Sequence, residues 1–314
     1  MTLPMGRAMR EVFGDTVTEL ANDDPRIVML DGDLGSSTKG ETFQRAHPER
    51  FFQMGIAEQN MLGVAAGMAS VGLIPYISTF VAFAVIRPLD QIRVLIAQPR
   101  LNVKITGGYS GLFTGRAGKT HQVVDDISIM RAMPNMVIVS PADDTETDQV
   151  LRWSANYAGP VYVRLVRDAT QHLFDSSYTF KFGAAVPLRD GADVTLISTG
   201  AETPRVMDAA EILATRGIQA CVLHVPTIKP LDVSAIVKAA ERSNFVVTVE
   251  EHTVIGGLGG AVAETLSEHR PTPVHRIGMP DVFGESASND DLLQKYGLSA
   301  DRVADRVATL KASA

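Results

Sequence analysis

FFQMGIAEQNMLGVAAGMASVGLIPYISTFVAFAVI, residues 51–86, decides how the rest of the chain is read. From Gln59 to Ile86 there are 28 consecutive positions without a formal charge, and Glu58 and Arg87 bracket them. A run of that length imitates a membrane span, which needs roughly 20 mainly apolar residues. Its grain argues otherwise. Gln59 and Asn60 open it, and Gly72, Pro75, Ser78 and Thr79 break it into pieces. A small-residue helix over 57–71 followed by a short strand over 73–79 accounts for the pattern. A helix and a strand that are both uncharged all round belong deep in a large core.

Outward from this segment, short β-branched runs alternate with amphipathic stretches. Strands are predicted at 26–31, 51–53, 73–78, 102–106, 136–140 and 161–166, with helices at 6–21, 57–71, 82–98, 122–133 and 143–157. A second series follows, with strands at 193–198, 219–224, 245–249 and 274–277 and helices at 203–216, 232–242, 259–269, 289–296 and 299–311. Strand–helix alternation implies an α/β fold with mostly parallel sheets covered by helices. The polar, aromatic stretch 168–191 has no clear period and reads as a linker. Two domains are expected, 1–175 and 188–314, with no internal sequence repeat.

Composition narrows the function. The 314 residues are 45% hydrophobic and 21% charged, which excludes a disordered chain. A formal net charge of −7 lacks the basic face that nucleic-acid binding needs. Cys221 is the single cysteine, so no intramolecular disulfide or CxxC metal site is available. The opening MTLPMGRAMREVFGD carries no signal-peptide apolar stretch, so neither a membrane nor an export role is expected and the cytoplasm is the expected location.

In parallel α/β sheets, ligands bind beyond the carboxyl ends of the strands. Those ends carry Asp31–Thr38, Met54–Asn60, Thr79–Phe83 and a glycine-rich loop of about fifteen residues from Gly107 to Gln122. A loop that long inside a compact domain is usually functional. Glu58 opens the uncharged helix. Its plain reading is a first-turn glutamate favoured by the helix dipole. The sharper one is a carboxyl in an apolar wall that shares a proton with a ligand. Phe80 and Phe83 read alone as core aromatics, His121 as a solvated loop histidine, and Arg10 and Arg167 as surface charges. Gly256–Gly260 lacks the G-x-G-x-x-G spacing, and these glycines read as letting a turn and helix pack closely. His224, His252 and Cys221 read as structural.

Taken together these motifs go further. GIAEQNM (55–61) resembles the pyrimidine-binding domain of the thiamine-diphosphate enzymes of the transketolase family. LDGDLGSST (30–38), STFVAF (78–83), DQIR (90–93), GKTHQ (118–122) and MRAMPNMVIVSPAD (130–143) follow in family order. PTIKPLD (226–232) and VEEHTVIGGLGGAV (249–262) resemble the family's C-terminal domain. The resemblance implies that Glu58 bonds the pyrimidine ring nitrogen of thiamine diphosphate and that Phe80, Phe83 and Ile86 line the pyrimidine pocket. Ile86 stands where some relatives have a third aromatic. It also implies that His121 transfers protons to sugar hydroxyls, and that Arg10, Ser37 and Arg167 hold a terminal phosphate. Asp33 is expected to shape the loop that carries Ser37.

The chain departs from the family at Tyr109, where many relatives have histidine, and at Arg116 and Ala117, where they have an acidic pair. The usual Mg²⁺–diphosphate signature, Gly-Asp-Gly with a following asparagine, is missing. Gly32-Asp33 with Asn60 only echoes it, since Leu34 replaces the last glycine. The resemblance therefore implies the C-terminal subunit of a split transketolase in carbohydrate metabolism. Mg would sit on an N-terminal partner subunit with the diphosphate-binding domain, with two of each chain in a heterotetramer. The alternatives are the β subunit of a 2-oxo-acid dehydrogenase, a deoxyxylulose-phosphate synthase-like enzyme, and a non-catalytic scaffold subunit.

Overall fold

The computed structural model describes residues 3–313. Seven strands form the first sheet, in the spatial order Thr227–Lys229, Val137–Val139, Val161–Arg164, Lys104–Gly108, Ile74–Phe80, Ile27–Asp31 and Phe51–Gln53. The six from the N-terminal half run parallel. Thr227–Lys229 comes from the C-terminal half of the chain and pairs antiparallel with Val137–Val139. The second sheet has the order Val274–Met279, Val246–Thr253, Val194–Ser198, Ala220–His224 and Val186–Arg189. Only its last strand is antiparallel.

Alternation along a single strand shows why the first sheet needs helices on both faces. Val28 and Leu30 join one core with Met61, Leu62 and Ala65 of the helix Glu58–Ser70. Ile27 and Met29 join the opposite core with Phe13 and Val17 of the helix Met9–Asp23 and Val150 and Leu151 of Asp144–Asn156. The uncharged run 59–86 thus covers the helix Glu58–Ser70 after its first residue, the buried strand Ile74–Phe80 and a closing turn, Ala82–Ile86. No helix among the described residues is long and apolar enough to cross a membrane.

Four details differ from the sequence expectations. The first helix begins at Met9 rather than residue 6, because Met5–Ala8 pairs with Ala169–Gln171. That pairing and the strand Val186–Arg189 place regular structure inside the stretch read as a linker. The helix expected over 82–98 is broken at Pro88, which has no N–H to donate to the preceding turn. Wide π turns, Ala82–Ile86 and Ile92–Ala97, flank the short helix Leu89–Gln91. The helix expected from 122 starts at Asp126, since Val123 instead bridges to Gly111.

A buried polar seam joins the two sheets. Arg164 donates through Nε to Asp126 Oδ2 at 2.8 Å and through Nη2 to the Glu251 carbonyl at 2.9 Å. Tyr162 donates to Asp126 Oδ2 at 2.6 Å. Burial alone would raise the Asp126 carboxyl, but Arg164 beside it holds it below its ordinary value. Further along, His224 Nε2 lies 2.8 Å from Glu146 Oε2, and Arg205 Nε donates to Glu202 Oε2 at 3.1 Å.

Burial pushes the Glu202 carboxyl up to about 8, with Arg205 opposing the shift and Glu251 adding to it. A carboxyl raised in this way keeps its proton in the folded chain where the unfolded chain has released it. Its stabilisation is complete below the ordinary value of 4.5 and is lost as pH climbs to about 8. Glu202→Gln keeps the size and removes the titration. Its thermal stability relative to wild type should therefore rise between about pH 5 and about pH 8, by at most about 1.4 kcal/mol per pH unit, and then level off. A difference independent of pH would show that Glu202 does not titrate in this window.

Candidate active site

The site forms where the parallel strands of the first sheet end. Asp31, fully buried at the end of its strand, organises the following loop. Its Oδ1 accepts from Leu34 N at 2.9 Å, Gly35 N at 3.1 Å and Gln53 Nε2 at 3.1 Å. Its Oδ2 accepts from Ser78 Oγ at 2.9 Å. Asp33, expected to shape this loop, is exposed and sits in the left-handed region at φ 64°. The shaping therefore falls to Asp31, because only the buried carboxylate can satisfy the orphaned amides. The short helix Gly35–Thr38 that results carries Ser37.

Glu58 begins the helix Glu58–Ser70 and is 4% exposed. Its surroundings are not the wholly apolar wall expected. Arg87 donates through Nη1 to Glu58 Oε1 at 2.7 Å, and the Arg87 guanidinium carbon lies 4.1 Å from the Phe83 ring centroid. Phe83 is stacked on Phe80 at 5.8 Å, and Phe80 on Tyr109 at 3.7 Å, both pairs 20° from coplanar. His121 stands edge-on to Phe83 at 5.4 Å and Phe80 at 6.1 Å, with Nδ1 2.9 Å from Thr120 Oγ1. Ile86 is half-exposed and borders, with Phe83, Arg87, Lys119 and Phe283, a cleft of about 600 Å³.

Tyr109 links this aromatic row to the arginines. Its hydroxyl accepts from Arg10 Nη1 and Arg167 Nε, each at 3.2 Å, and donates to the Ser37 carbonyl at 3.2 Å. Arg10 Nη1 reaches the same carbonyl at 3.3 Å. Arg10 Nε is buried and finds no acceptor among the described residues. Tyr109 has φ 64°, an uncommon conformation for a bulky residue, and it occurs where the backbone turns into the long loop. Arg116 and Ala117 are exposed on the short turn Gly115–Ala117. The second half of the chain pins that turn. Asn289 Oδ1 accepts from Gly115 N at 3.1 Å, and Asn289 Nδ2 donates at 3.0 Å to Asp168, the ion-pair partner of Arg167.

The fold thus brings Arg10, Ser37, Glu58, Phe80, Phe83, Ile86, Tyr109, His121 and Arg167 into one continuous cluster. Asp31, Arg87 and Asn289 escaped the sequence reading. A signal existed for Arg87, which is the charge that ends the uncharged run opened by Glu58. Asp33 and Asn60 are both exposed, and Asp33 N is bonded to Gln53 Oε1.

Two family models match the chain: the transketolase pyrimidine-binding domain over residues 5–172 and the transketolase C-terminal domain over residues 183–303. The chain belongs to the transketolase family, whose members depend on thiamine diphosphate. Among its relatives, a putative transketolase C-terminal section of Methanocaldococcus jannaschii is 45% identical over 304 residues, covering 96% of this chain and 95% of the relative. The 6-deoxy-6-sulfo-D-fructose transketolase subunit SqwH of a Clostridium species is 40% identical, covering 94% of this chain and 92% of that one. A solved split-gene transketolase, described as an inactive beta4 tetramer, superposes with a TM-score of 0.88 at 44% identity, covering 97% of this chain and 98% of that one.

Asp31→Ala would leave the Leu34 and Gly35 amides without their acceptor, whereas Ser78 keeps Thr38 Oγ1 at 2.7 Å. At about 1–3 kcal/mol for each orphaned buried group, the stability loss in chemical unfolding should reach at least about 2 kcal/mol. A loss under about 0.5 kcal/mol would mean that the loop is held by other contacts.

Proposed function

We propose that this chain is one subunit of a thiamine-diphosphate-dependent transketolase that transfers a two-carbon ketol unit between sugar phosphates. The observation that carries the reading is the buried Glu58 at a helix start, beside stacked Phe80 and Phe83 and in the same cluster as two arginines. The fit to the cofactor's pyrimidine ring has a physical basis in this structure. Arg87 bonds Glu58 at 2.7 Å with its guanidinium carbon 4.1 Å from the Phe83 centroid, so the carboxyl and the aromatic face lie within reach of one flat nitrogen-bearing group. When bound, the cofactor supplies the nucleophilic carbon and the electron sink of ketol transfer.

The chain's own residues then have distinct tasks. Glu58 would hold the ring nitrogen by a hydrogen bond from its carboxyl. Phe80, Phe83 and Ile86 give the ring apolar contact and exclude water. His121, at the edge of that aromatic row, moves a proton to or from a sugar hydroxyl. Arg10, Arg167, the Tyr109 hydroxyl and Ser37 hold the substrate's terminal anion, and the unpaired Arg10 Nε supplies a donor for it. The name of the SqwH relative gives that protein a 6-sulfo sugar, which supports a substrate with an anionic end.

No Mg²⁺ ligands are assigned to this chain. We place them, with the diphosphate site, on an N-terminal partner subunit, in a heterotetramer of two of each chain in the cytoplasm, within carbohydrate metabolism. The description of the split-gene relative as inactive when made of beta chains alone supports this dependence. The division into 1–175 and 188–314 belongs to the same proposal. A scaffold role would leave the assembled polar and aromatic cluster unexplained.

Two measurements test the reading. By calorimetry with Mg²⁺ and thiamine diphosphate, the isolated chain should bind weakly and show no turnover; micromolar binding with turnover would remove the need for a partner. In the reconstituted complex, Glu58→Gln should lower kcat by roughly 10²–10⁴-fold, the range of a lost proton-transfer group. Its thermal midpoint should move little, because glutamine keeps the size and offers both an acceptor and a donor at the same position. Near-normal turnover would take Glu58 out of the mechanism.

A further inference from the structure

The ion pair that closes over Phe83 has a role that the proposed chemistry does not use. We propose that Arg87 occupies the seat of the cofactor's pyrimidine ring in the unloaded chain, as an internal competitor that the ring must displace. This rests on the reading that Glu58 and Phe83 receive that ring. A guanidinium is planar, stacks on aromatic faces and donates from a rigid fork. Here it does both at once, with its carbon 4.1 Å from the Phe83 centroid and Nη1 2.7 Å from Glu58 Oε1. A second flat group cannot stack on the same face of Phe83 and bond the same carboxylate oxygen while the guanidinium remains.

The surroundings suit a group that leaves. Glu58 is fixed and 4% exposed, whereas the Arg87 side chain is 45% exposed and lies at the rim of the cleft. The Arg87 backbone is held, since its carbonyl accepts from Gln59 Nε2 at 3.2 Å and Pro88 follows directly. Rotation of the side chain alone therefore opens the seat. Without a ligand, a buried carboxylate with no partner is strongly unfavourable, and Arg87 removes that penalty. The Arg87–Glu58 pair is thereby stabilised at the expense of affinity, because only the fraction of chains with Arg87 turned out can accept the ring.

The test is thiamine diphosphate affinity in the complex reconstituted with the partner subunit and Mg²⁺, read by titration calorimetry. Arg87→Met keeps the apolar stem and removes the competitor, so binding should tighten by about 3- to 10-fold. Arg87→Lys keeps a cation for Glu58 but has no flat face, so it should bind more tightly than wild type by a smaller factor. It also decides the matter if Arg87→Met does not fold. Unchanged or weaker binding in the folded variants would overturn the proposal and make Arg87 a contact that serves the bound ring. If neither the wild-type nor the variant complexes bind the cofactor at all, the thiamine-diphosphate reading fails, and the competitor role fails with it.

Discussion

The ion pair between Arg164 and Asp126 is the constraint on which the arrangement of the site depends. Both side chains are almost wholly out of solvent, at 4% and 0% exposure. Such a pair gains little net stability from its charges, but breaking it strands a buried charge at a cost of about 3–5 kcal/mol. What it contributes is position. Arg164 ends a strand of the first sheet, Asp126 begins a helix, and the Glu251 carbonyl belongs to the second sheet. Arg164 also pairs with Gly107, so it ties the start of the loop that carries Tyr109 and His121 to Asp126 just beyond its end.

That loop is long and irregular, yet it is buried along much of its length. It is held from both sides. Leu112 N donates to the Glu251 carboxylate, and Gln122 Nε2 donates to the carbonyls of Gly115 and Glu285. The aromatic and arginine cluster therefore lies at the end of one sheet while the loop that carries Tyr109 is held in part by Glu251 of the other. This explains how a tyrosine can sit at positive φ with its ring against Phe80. The conformation costs on the order of 1–3 kcal/mol and persists only where the surroundings over-determine it.

How much of this was readable from residues alone follows from the distance between partners. Strands such as Phe51–Gln53 and Val161–Arg164, and helices such as Asp144–Asn156 with Asp143 as its cap, are specified by local pattern and were readable. Met5–Ala8 was not, because its four residues are a strand only by virtue of Ala169–Gln171. The broken helix at Pro88 was within reach, since the proline was visible. Within the site, family motifs pointed to Glu58, Phe80, Phe83 and His121. Asp31 was missed because its importance lies in backbone amides, which no residue pattern displays. Arg87 was missed because its partner is 29 positions away, although the uncharged run between them marked both ends.

The antiparallel strand Thr227–Lys229 has a consequence for how the molecule can be divided. It completes the first sheet at its outer edge, and Lys229 Nζ reaches the carbonyls of Arg131 and Met133 at 2.9 Å and 2.6 Å. A chain cut in the stretch between the two sheets would leave Val137–Val139 as a bare hydrophobic edge, open to pairing with other copies. The halves are thus not separable modules joined by a tether. They share a sheet, and removing the second half leaves that edge of the first unpaired.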